Sequence, residues 1–243
     1  MSLKLYLGVD ESRQWAAEVA RIARAHPAVR SGAVEVFVLP SLPAVPGVRD
    51  ALAGTAVRFG AQDLHWADRG AYTGAVSGAD LREIGCTHVE VAHSERRSVF
   101  GEDGDVARAK LQAALRNRLT PVLCVGEPER REPAEAAAQC LEQLRSLLDG
   151  AGDDSADLIV AYEPEWAIGQ PEPASAAHVR AVVAALRDGM AQHGGSVRLI
   201  YGGSAQEGTL TELADAVDGL FLGRFAHDPA SFARMLDEAA ALG

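Results

Sequence analysis

The sequence predicts an α/β protein in which eight short strands alternate with helices around a single barrel. Three observations lead to this class. The chain has 243 residues, of which 48% are apolar, enough to fill one large core. Short apolar runs alternate along the whole chain with longer amphipathic segments. Each strand–helix unit takes about 30 residues, as expected for a (β/α)8 barrel of roughly 250 residues. We therefore expect one single-domain barrel over residues 1–243, with a doubly wound open sheet as the alternative.

The predicted elements follow from local patterns. Apolar and β-branched runs predict eight strands, over residues 3–9, 34–40, 57–62, 87–93, 119–126, 157–164, 197–203 and 219–224. Helical spacing predicts helices over residues 12–25, with Ser12 as the N-cap, and over 103–116, 133–148, 175–193 and 209–217. The segment after the first strand, GVDES, lacks the glycine pattern of a dinucleotide-binding sheet, which favours the barrel.

Composition excludes several classes of function. The formal net charge is −11, whereas nucleic-acid-binding proteins normally present a basic face. No apolar run reaches the roughly 18 residues of a membrane span, so neither nucleic acid nor membrane is an expected partner. Cys86, Cys124 and Cys140 are too scattered for a disulfide framework, and the first residues lack a signal-peptide pattern, which favours a cytoplasmic protein. No cofactor or metal is expected, because the histidines show no ligand spacing such as HExxH.

Polar segments follow three predicted strands, where barrel enzymes carry their chemistry. They are AHSERR, YEPEWAIG and YGGS. Glu163 ends an apolar strand beside Pro164, where desolvation would raise its basicity and suit it to remove a proton from a carbon next to a carbonyl. His93 precedes a predicted helix turn, whose dipole favours a neutral imidazole able to donate to a substrate carbonyl. A solvated glutamate and a structural histidine are the alternatives.

Six segments match one known family in order and spacing. They are GAQD (60–63), GAYTG (70–74), AHSERRSVFGE (92–102), CVGE (124–127), AYEPEWAIG (161–169) and YGGSA (201–205). Together they resemble the triosephosphate isomerase family. The resemblance implies a TIM barrel and an aldose–ketose isomerase that interconverts glyceraldehyde 3-phosphate and dihydroxyacetone phosphate through an enediolate. As in that family, Glu163 would be the base and His93 the electrophile, and Glu95 would support the site.

The resemblance also implies where the phosphate of a small sugar substrate would bind. Backbone N–H groups in glycine turns and at short helix N-termini can hold a phosphate dianion even in an acidic protein. The implied donors are Gly169 in the sixth loop, Gly202, Gly203 and Ser204 in the seventh, and Gly223 in the eighth, with the Arg224 side chain beside them. Ordinary turns would use the same glycines, so a structural role stays open at each position.

Two further segments resemble moving or contacting parts of the family. One is a lid that closes over substrate and keeps water from the enediolate. The other is a loop over residues 65–78 that inserts into a partner subunit, so a homodimer is expected. The lid residues are Trp166, Ala167 and Ile168, and the loop residues include Tyr72, Thr73 and Gly74. An apolar rim loop and a polar surface loop are the respective alternatives.

The sequence departs from the family pattern at three places. A gapless match puts Gly8 where the family has a lysine at the end of the first strand, and Lys4 is not expected to reach the barrel rim. Losing such a cation can cost about 3–4 kcal/mol of transition-state stabilisation, by analogy with an oxyanion donor. Pro171 would stiffen the lid hinge, and Glu172 would put a carboxylate where a cation was expected. Arg224 would either obstruct phosphate or restore the missing charge.

Three functions therefore remain open. The first is a triosephosphate isomerase impaired by the missing lysine. The second is an isomerase of another small sugar phosphate, with a first loop rebuilt around Tyr6 and Gly8. The third is a catalytically inactive barrel that acts as a binding or scaffold protein. The missing lysine favours the last two, whereas His93 and Glu163 favour the first two.

Overall fold

A parallel sheet of seven strands forms the centre of the computed structural model, which describes residues 1–151, 156–170 and 173–243. The strands pair with their neighbours in chain order. They are β1 (Phe37–Val38), β2 (Arg58–Ala61), β3 (His88–Val91), β4 (Thr120–Val125), β5 (Leu158–Tyr162), β6 (Val197–Tyr201) and β7 (Gly219–Leu220). The α/β class and the curled parallel sheet agree with the predicted barrel. Pro171 and Glu172, and with them the predicted changes to the lid hinge, lie outside the described residues.

Residues 1–3 close the sheet between its first and last strands. Ser2 forms an isolated parallel bridge with Leu39, next to β1. On its other side, the Ser2 N–H donates to the Leu222 carbonyl, just after β7, at 3.2 Å. The N-terminal residues thus occupy the place of the first predicted strand and supply the eighth segment of the ring, and backbone hydrogen bonds run around the whole ring.

The predicted first strand over residues 3–9 is wrong beyond its first residue. Lys4 has a φ of 48°, in the left-handed region that ends extended backbone. The Leu5 side chain after it is 86% exposed. Helix α1 then begins at Val9 with Gly8 as its N-cap. Ser12, predicted as the cap, is buried inside the helix instead.

The helices cover the outside of the sheet. They are α1 (Val9–Ala25), α2 (Pro27–Ser31), α3 (Val45–Leu52), α4 (Gly78–Ile84), α5 (Ser94–Ser98), α6 (Gly104–Arg116), α7 (Pro133–Leu148), α8 (Ala176–Gly189), α9 (Thr209–Leu213) and α10 (Pro229–Leu242). Short 3-10 helices span Leu42–Ala44, Glu165–Ala167 and Arg224–His227. Within the described ranges, no helix is both long and apolar enough to cross a membrane.

The helix predictions succeed where a local signal marks the boundary. Helix α7 has its predicted bounds. Asp103 caps α6 by accepting the Val106 N–H, and Ser175 caps α8 by accepting the His178 N–H. Both helices therefore begin one residue after the predicted start. Helices α8 and α9 each end four residues before the predicted position.

The apolar core has two parts. The larger packs the helices against the outside of the sheet. The smaller fills the barrel interior and contains Leu39, Val122, Cys124, Ile159, Ala161, Ile200 and Phe221. On β3 the His88 ring stacks on Phe37, which packs against this inner cluster, at 4.6 Å between centroids. Because side chains alternate along a strand, Glu90 points inward as well, one layer closer to the carboxyl ends.

Candidate active site

A cavity of about 370 Å³ opens at the carboxyl ends of the strands, where barrel enzymes place their sites. Most residues predicted from the sequence line it. They are His93, Glu95, Glu163, Ile168, Gly169, Gly202, Ser204, Gly223 and Arg224. Gly203, Trp166 and Ala167 are outside the lining and belong to the adjoining loops. The predicted residues from the fourth, sixth, seventh and eighth loops are therefore brought together in one place.

Glu163 lies directly after β5, and its N–H donates to the Val125 carbonyl at 2.8 Å. Its side chain is buried, and Oε2 has no hydrogen-bond partner among the described residues. Burial, followed by the negative charge of Glu90, raises the pKa of Glu163 to about 8. The desolvation expected from the sequence is present, and it makes this carboxylate a strong base with a free oxygen.

Two glycines fit closely around Glu163. A Cβ on Gly202 would lie 2.8 Å from Oε1 of Glu163, and a Cβ on Gly126 would lie 1.8 Å from its carbonyl oxygen. Both distances are shorter than van der Waals contact. The backbone therefore approaches the glutamate so closely, on two sides, that only glycine fits.

His93 faces Glu163 across the cavity. Its Nδ1 accepts the Glu95 N–H at 3.1 Å, so in the neutral ring the proton is on Nε2. Nε2 lies 3.6 Å from Oε2 of Glu163. Burial, followed by the charge of Lys4, lowers the pKa of His93 to about 4. The imidazole is therefore neutral, as expected, but burial rather than the dipole of the short α5 is the main cause.

Lys4 reaches the same cavity, so the expectation that it would not is wrong. Its Nζ lies 2.7 Å from Oε1 of Glu95, and its charge lowers the pKa values of both His93 and Glu163. The cause is the early end of the first strand, which puts Lys4 at the rim. The gapless match through Gly8 was the error, and a lysine is present in the site after all.

The two arginines after Glu95 pair within the fold. The Arg97 guanidinium donates to the Ala92 carbonyl and to the Glu165 carboxylate, which joins the loop after β3 to the start of the lid. Arg96 pairs with Glu102 and, at 3.1 Å, with Asp63. These contacts hold the loop that carries His93.

The predicted phosphate loops are joined by Ser204. Its Oγ accepts the Gly169 N–H at 3.1 Å and donates to the Ala167 carbonyl at 2.7 Å. Arg224 lies across the cavity mouth, with its guanidinium carbon 5.4 Å from the centre of the Tyr6 ring. Glycine turns with a cation beside them can bind a phosphate dianion.

The segment predicted to be a lid begins at a buried hydrogen-bond network around Glu127. The Trp166 indole N–H donates to Oε1 of Glu127 at 2.7 Å, and the Tyr162 hydroxyl donates to the same oxygen at 3.1 Å. Nε2 of His178 lies 3.3 Å from it. Glu127 is fully buried, so these contacts replace its hydration. Trp166 is therefore fixed by its hydrogen bond to the buried Glu127, whereas Ile168 and Gly169 line the cavity.

Glu90 is a candidate that the sequence reasoning missed. It is 3% exposed, accepts the Ser2 hydroxyl at 3.1 Å, and lies 3.7 Å from Nε2 of His93. Burial raises its pKa to about 7. It lines a second cavity of about 490 Å³, which shares Ser2, Lys4, Tyr6, His93 and Glu95 with the first. The available signal was a carboxylate inside the apolar run THVEVAH.

The remaining predicted residues lie in the third loop. Tyr72 is 45% exposed and packs against His65, with 4.3 Å between ring centroids. Thr73 and Gly74 are exposed beside it. Within the described ranges, no group of three or more His, Cys, Asp or Glu side chains is arranged to hold a metal ion.

A parallel barrel with a buried base and a neutral imidazole at its carboxyl end is the architecture of the triosephosphate isomerase family. The chain belongs to this family, because residues 1–239 match the family model described as triosephosphate isomerase. It is a sugar-phosphate isomerase of that family.

Relatives within the family have two different names. An L-erythrulose-1-phosphate isomerase of Pectobacterium atrosepticum is 47% identical, over 98% of this chain and 94% of its own length. A triosephosphate isomerase of Moorella thermoacetica is 40% identical, over 87% of this chain and 88% of its own. An L-erythrulose-1-phosphate isomerase of Mycolicibacterium smegmatis is 40% identical, over 99% of this chain and 92% of its own.

Proposed function

We propose that this isomerase acts on a four-carbon ketose phosphate, with L-erythrulose 1-phosphate as its substrate, rather than on triose phosphates. The observation that carries the proposal is the second cavity beside His93, which offers space for a substrate longer than a triose. The higher identity to the Pectobacterium atrosepticum relative supports it. The second function left open by the sequence is thus favoured over the first.

The reaction needs no co-reactant. L-Erythrulose 1-phosphate carries its carbonyl at C2 and a hydroxyl at C3. Glu163 removes the proton from C3, the C–H electron pair forms a C2=C3 double bond, and the carbonyl oxygen becomes an enediolate oxygen. The C3 hydroxyl proton moves to O2, and Glu163 returns its proton to C2. The carbonyl of the product is then at C3. Numbered from the other end, this product is an erythrulose 4-phosphate. C2 is reduced and C3 oxidised within one molecule.

The other site residues stabilise the charge that develops. The Nε2–H of His93 donates to the two reacting oxygens, and a neutral donor of this kind can also move the proton between them. Lys4 supplies positive charge to the enediolate and is held by Glu95 at 2.7 Å. Arg224, Ser204 and the glycines of the sixth to eighth loops bind the phosphate. Ile168 closes over the substrate and excludes water.

The test compares two substrates with and without the base. Turnover of L-erythrulose 1-phosphate and of dihydroxyacetone phosphate is followed by ³¹P NMR, for the unmodified protein and for Glu163→Gln. We expect kcat/KM at least about tenfold higher for the tetrulose, and a kcat in Glu163→Gln lower by about 10²–10⁴-fold. Preference for the triose would instead identify a triosephosphate isomerase. Turnover no greater than that of the variant on either substrate would identify a binding protein.

We further propose that the chain forms a homodimer through the third loop. Large apolar side chains are exposed away from the two cavities, at Val99 after α5 and at Tyr72 on the loop itself. Such surface is typical of a protein contact. Sedimentation at micromolar concentration is expected to give twice the chain mass of 25.6 kDa, and a single monomeric species would exclude the dimer.

A further inference from the structure

We propose that Glu90 and Ser2 form a subsite for the terminal hydroxymethyl group of a four-carbon sugar phosphate, and that Glu90 is a specificity-determining residue. The inference rests on the proposed function, because a triose phosphate has only a hydrogen at that position. It goes beyond that function by naming the groups of this chain that distinguish the two substrate lengths.

The two cavities adjoin at His93 and Lys4, and Glu163 lines only the first. Ser204, Gly223 and Arg224 line only the first cavity, whereas Glu90 and Gln62 line only the second. His93 and Lys4 line both. A substrate with its phosphate among the first group and its C2–C3 bond at His93 therefore has the second cavity open to its C4.

The surroundings of Glu90 suit a hydroxyl group rather than a cation. Within the part of the chain that the structure describes, no Lys or Arg nitrogen lies within 4.0 Å of its carboxylate. Its neighbours are the Ser2 hydroxyl at 3.1 Å on Oε2 and the weakly donating Cys124 thiol at 3.8 Å on Oε1. Buried polar oxygens normally have a full set of partners. The C4 hydroxyl supplies a strong donor to Oε1.

The position of Glu90 explains why this interaction is selective. It is an inward-facing residue of β3, three positions before His93, and its Oε1 lies 3.7 Å from Nε2 of that histidine. This distance is beyond a normal hydrogen bond, so Glu90 does not hold His93 directly. Its raised pKa, about 7, lets the carboxyl donate as well as accept near neutral pH. A site built to pair a substrate hydroxyl discriminates strongly against an analogue that lacks it.

The test measures binding in the absence of turnover. In a Glu163→Gln background, dissociation constants of L-erythrulose 1-phosphate and dihydroxyacetone phosphate are measured by titration calorimetry, before and after Glu90→Leu. We expect the leucine variant to shift the ratio of the two constants by about 10- to 100-fold against the tetrulose, the loss of one hydrogen bond to a carboxyl group. Glu90→Gln, which keeps an acceptor and a donor, is expected to hold the ratio within about threefold.

The outcomes separate the subsite from the proposed function. An equal loss of affinity for both ligands in Glu90→Leu would show a merely structural role and overturn the subsite. Should the leucine variant fail to fold, Glu90→Met tests the same ratio with an unbranched side chain. A tetrulose preference in turnover with an unchanged binding ratio rejects the subsite alone. A triose preference in turnover with a shifted ratio rejects the proposed function alone.

Discussion

Glu163 and Glu90 are two buried carboxyl groups beside a neutral histidine, an arrangement that costs stability. Burial raises their pKa values to about 8 and about 7, from an ordinary value of 4.5. Between about pH 4.5 and pH 8 the folded protein binds more protons at these two groups than the unfolded chain does. The free energy of unfolding therefore falls as pH rises through this range. The burial that makes Glu163 a strong base therefore lowers the free energy of unfolding.

Glu163→Gln should accordingly stabilise the protein while abolishing its activity. We expect a gain in unfolding free energy on the order of 1–3 kcal/mol at pH 8. The gain should shrink at pH 5.5 and become small at pH 4.5, because about half of the unfolded glutamate is then protonated as well. Urea unfolding at the three pH values checks this. A gain that does not change with pH would contradict the raised pKa.

The charge of Lys4 acts on Glu163. It lowers the pKa of Glu163, so Lys4→Gln should move the acid limb of the kcat/KM profile to higher pH. Losing the cation from the site should also lower kcat/KM by about 10²–10³-fold at neutral pH. Lys4→Arg is the control, because it keeps the charge and is expected to keep the acid limb. An unmoved limb in Lys4→Gln would show that Lys4 does not act on Glu163.

Site residues that stand in recognisable motifs could be predicted from the sequence. A residue whose position depends on contacts between distant parts of the chain could not. His93, Glu163 and Ser204 were found because each belongs to a contiguous segment. Lys4 was missed because an alternating run such as LKLYLGV does not show where the barrel closes and the strand stops. One signal was present. The chain has only two lysines among its 23 basic residues, Lys4 and Lys110, so a lysine near the first loop is unusual.

Among the elements, the predicted lid is held at both of its ends by hydrogen bonds. The 3-10 helix Glu165–Ala167 is joined to the buried Glu127 through Trp166, and the residues after it are joined to the seventh loop through Ser204. The starts of α6 and α8 were predicted to within one residue because their caps, Asp103 and Ser175, are local. The hydrogen bonds of Trp166 and Ser204 could not be predicted, because they join residues far apart in the chain.

Trp166→Phe tests the anchor. Phenylalanine retains the aromatic ring but leaves Glu127 without one donor, which should lower stability by about 1–3 kcal/mol. We also expect kcat to fall by about 5- to 20-fold, because the start of the lid is no longer fixed. Urea unfolding and steady-state kinetics measure the two effects. Leu242→Ala, at an exposed site near the end of α10, is the control and should leave both quantities nearly unchanged.

At the scale of the whole molecule, residues 1–3 complete the ring of strands and also position Lys4. The Leu3 N–H donates to the Leu39 carbonyl at 3.0 Å, and the Leu3 side chain is 1% exposed. The same few residues thus contribute to the core and to the cavity at the carboxyl ends of the strands. Eight strands were predicted from length and periodicity, but periodicity could not show that the first contributes only a single bridge.

Leu3→Ala and Leu5→Ala form a matched pair on either side of Lys4. We expect Leu3→Ala to lower the free energy of unfolding by about 2–4 kcal/mol, through lost burial and a residual cavity. Leu5→Ala should change it by less than about 0.5 kcal/mol, because that side chain is exposed. Urea unfolding of both variants measures the difference. Similar losses from the two would show that residues 1–3 do not close the barrel as described.

The glycines around Glu163 determine how freely this mouth can vary. Gly126 and Gly202 contribute no side chain, yet any Cβ at either position would collide with the glutamate. At the rim, an exposed side chain such as Leu5 therefore tolerates substitution. The two glycines, which have no side chain, do not tolerate it. Directed evolution towards a new substrate has to leave these two glycines alone and draw its variation from the walls of the second cavity.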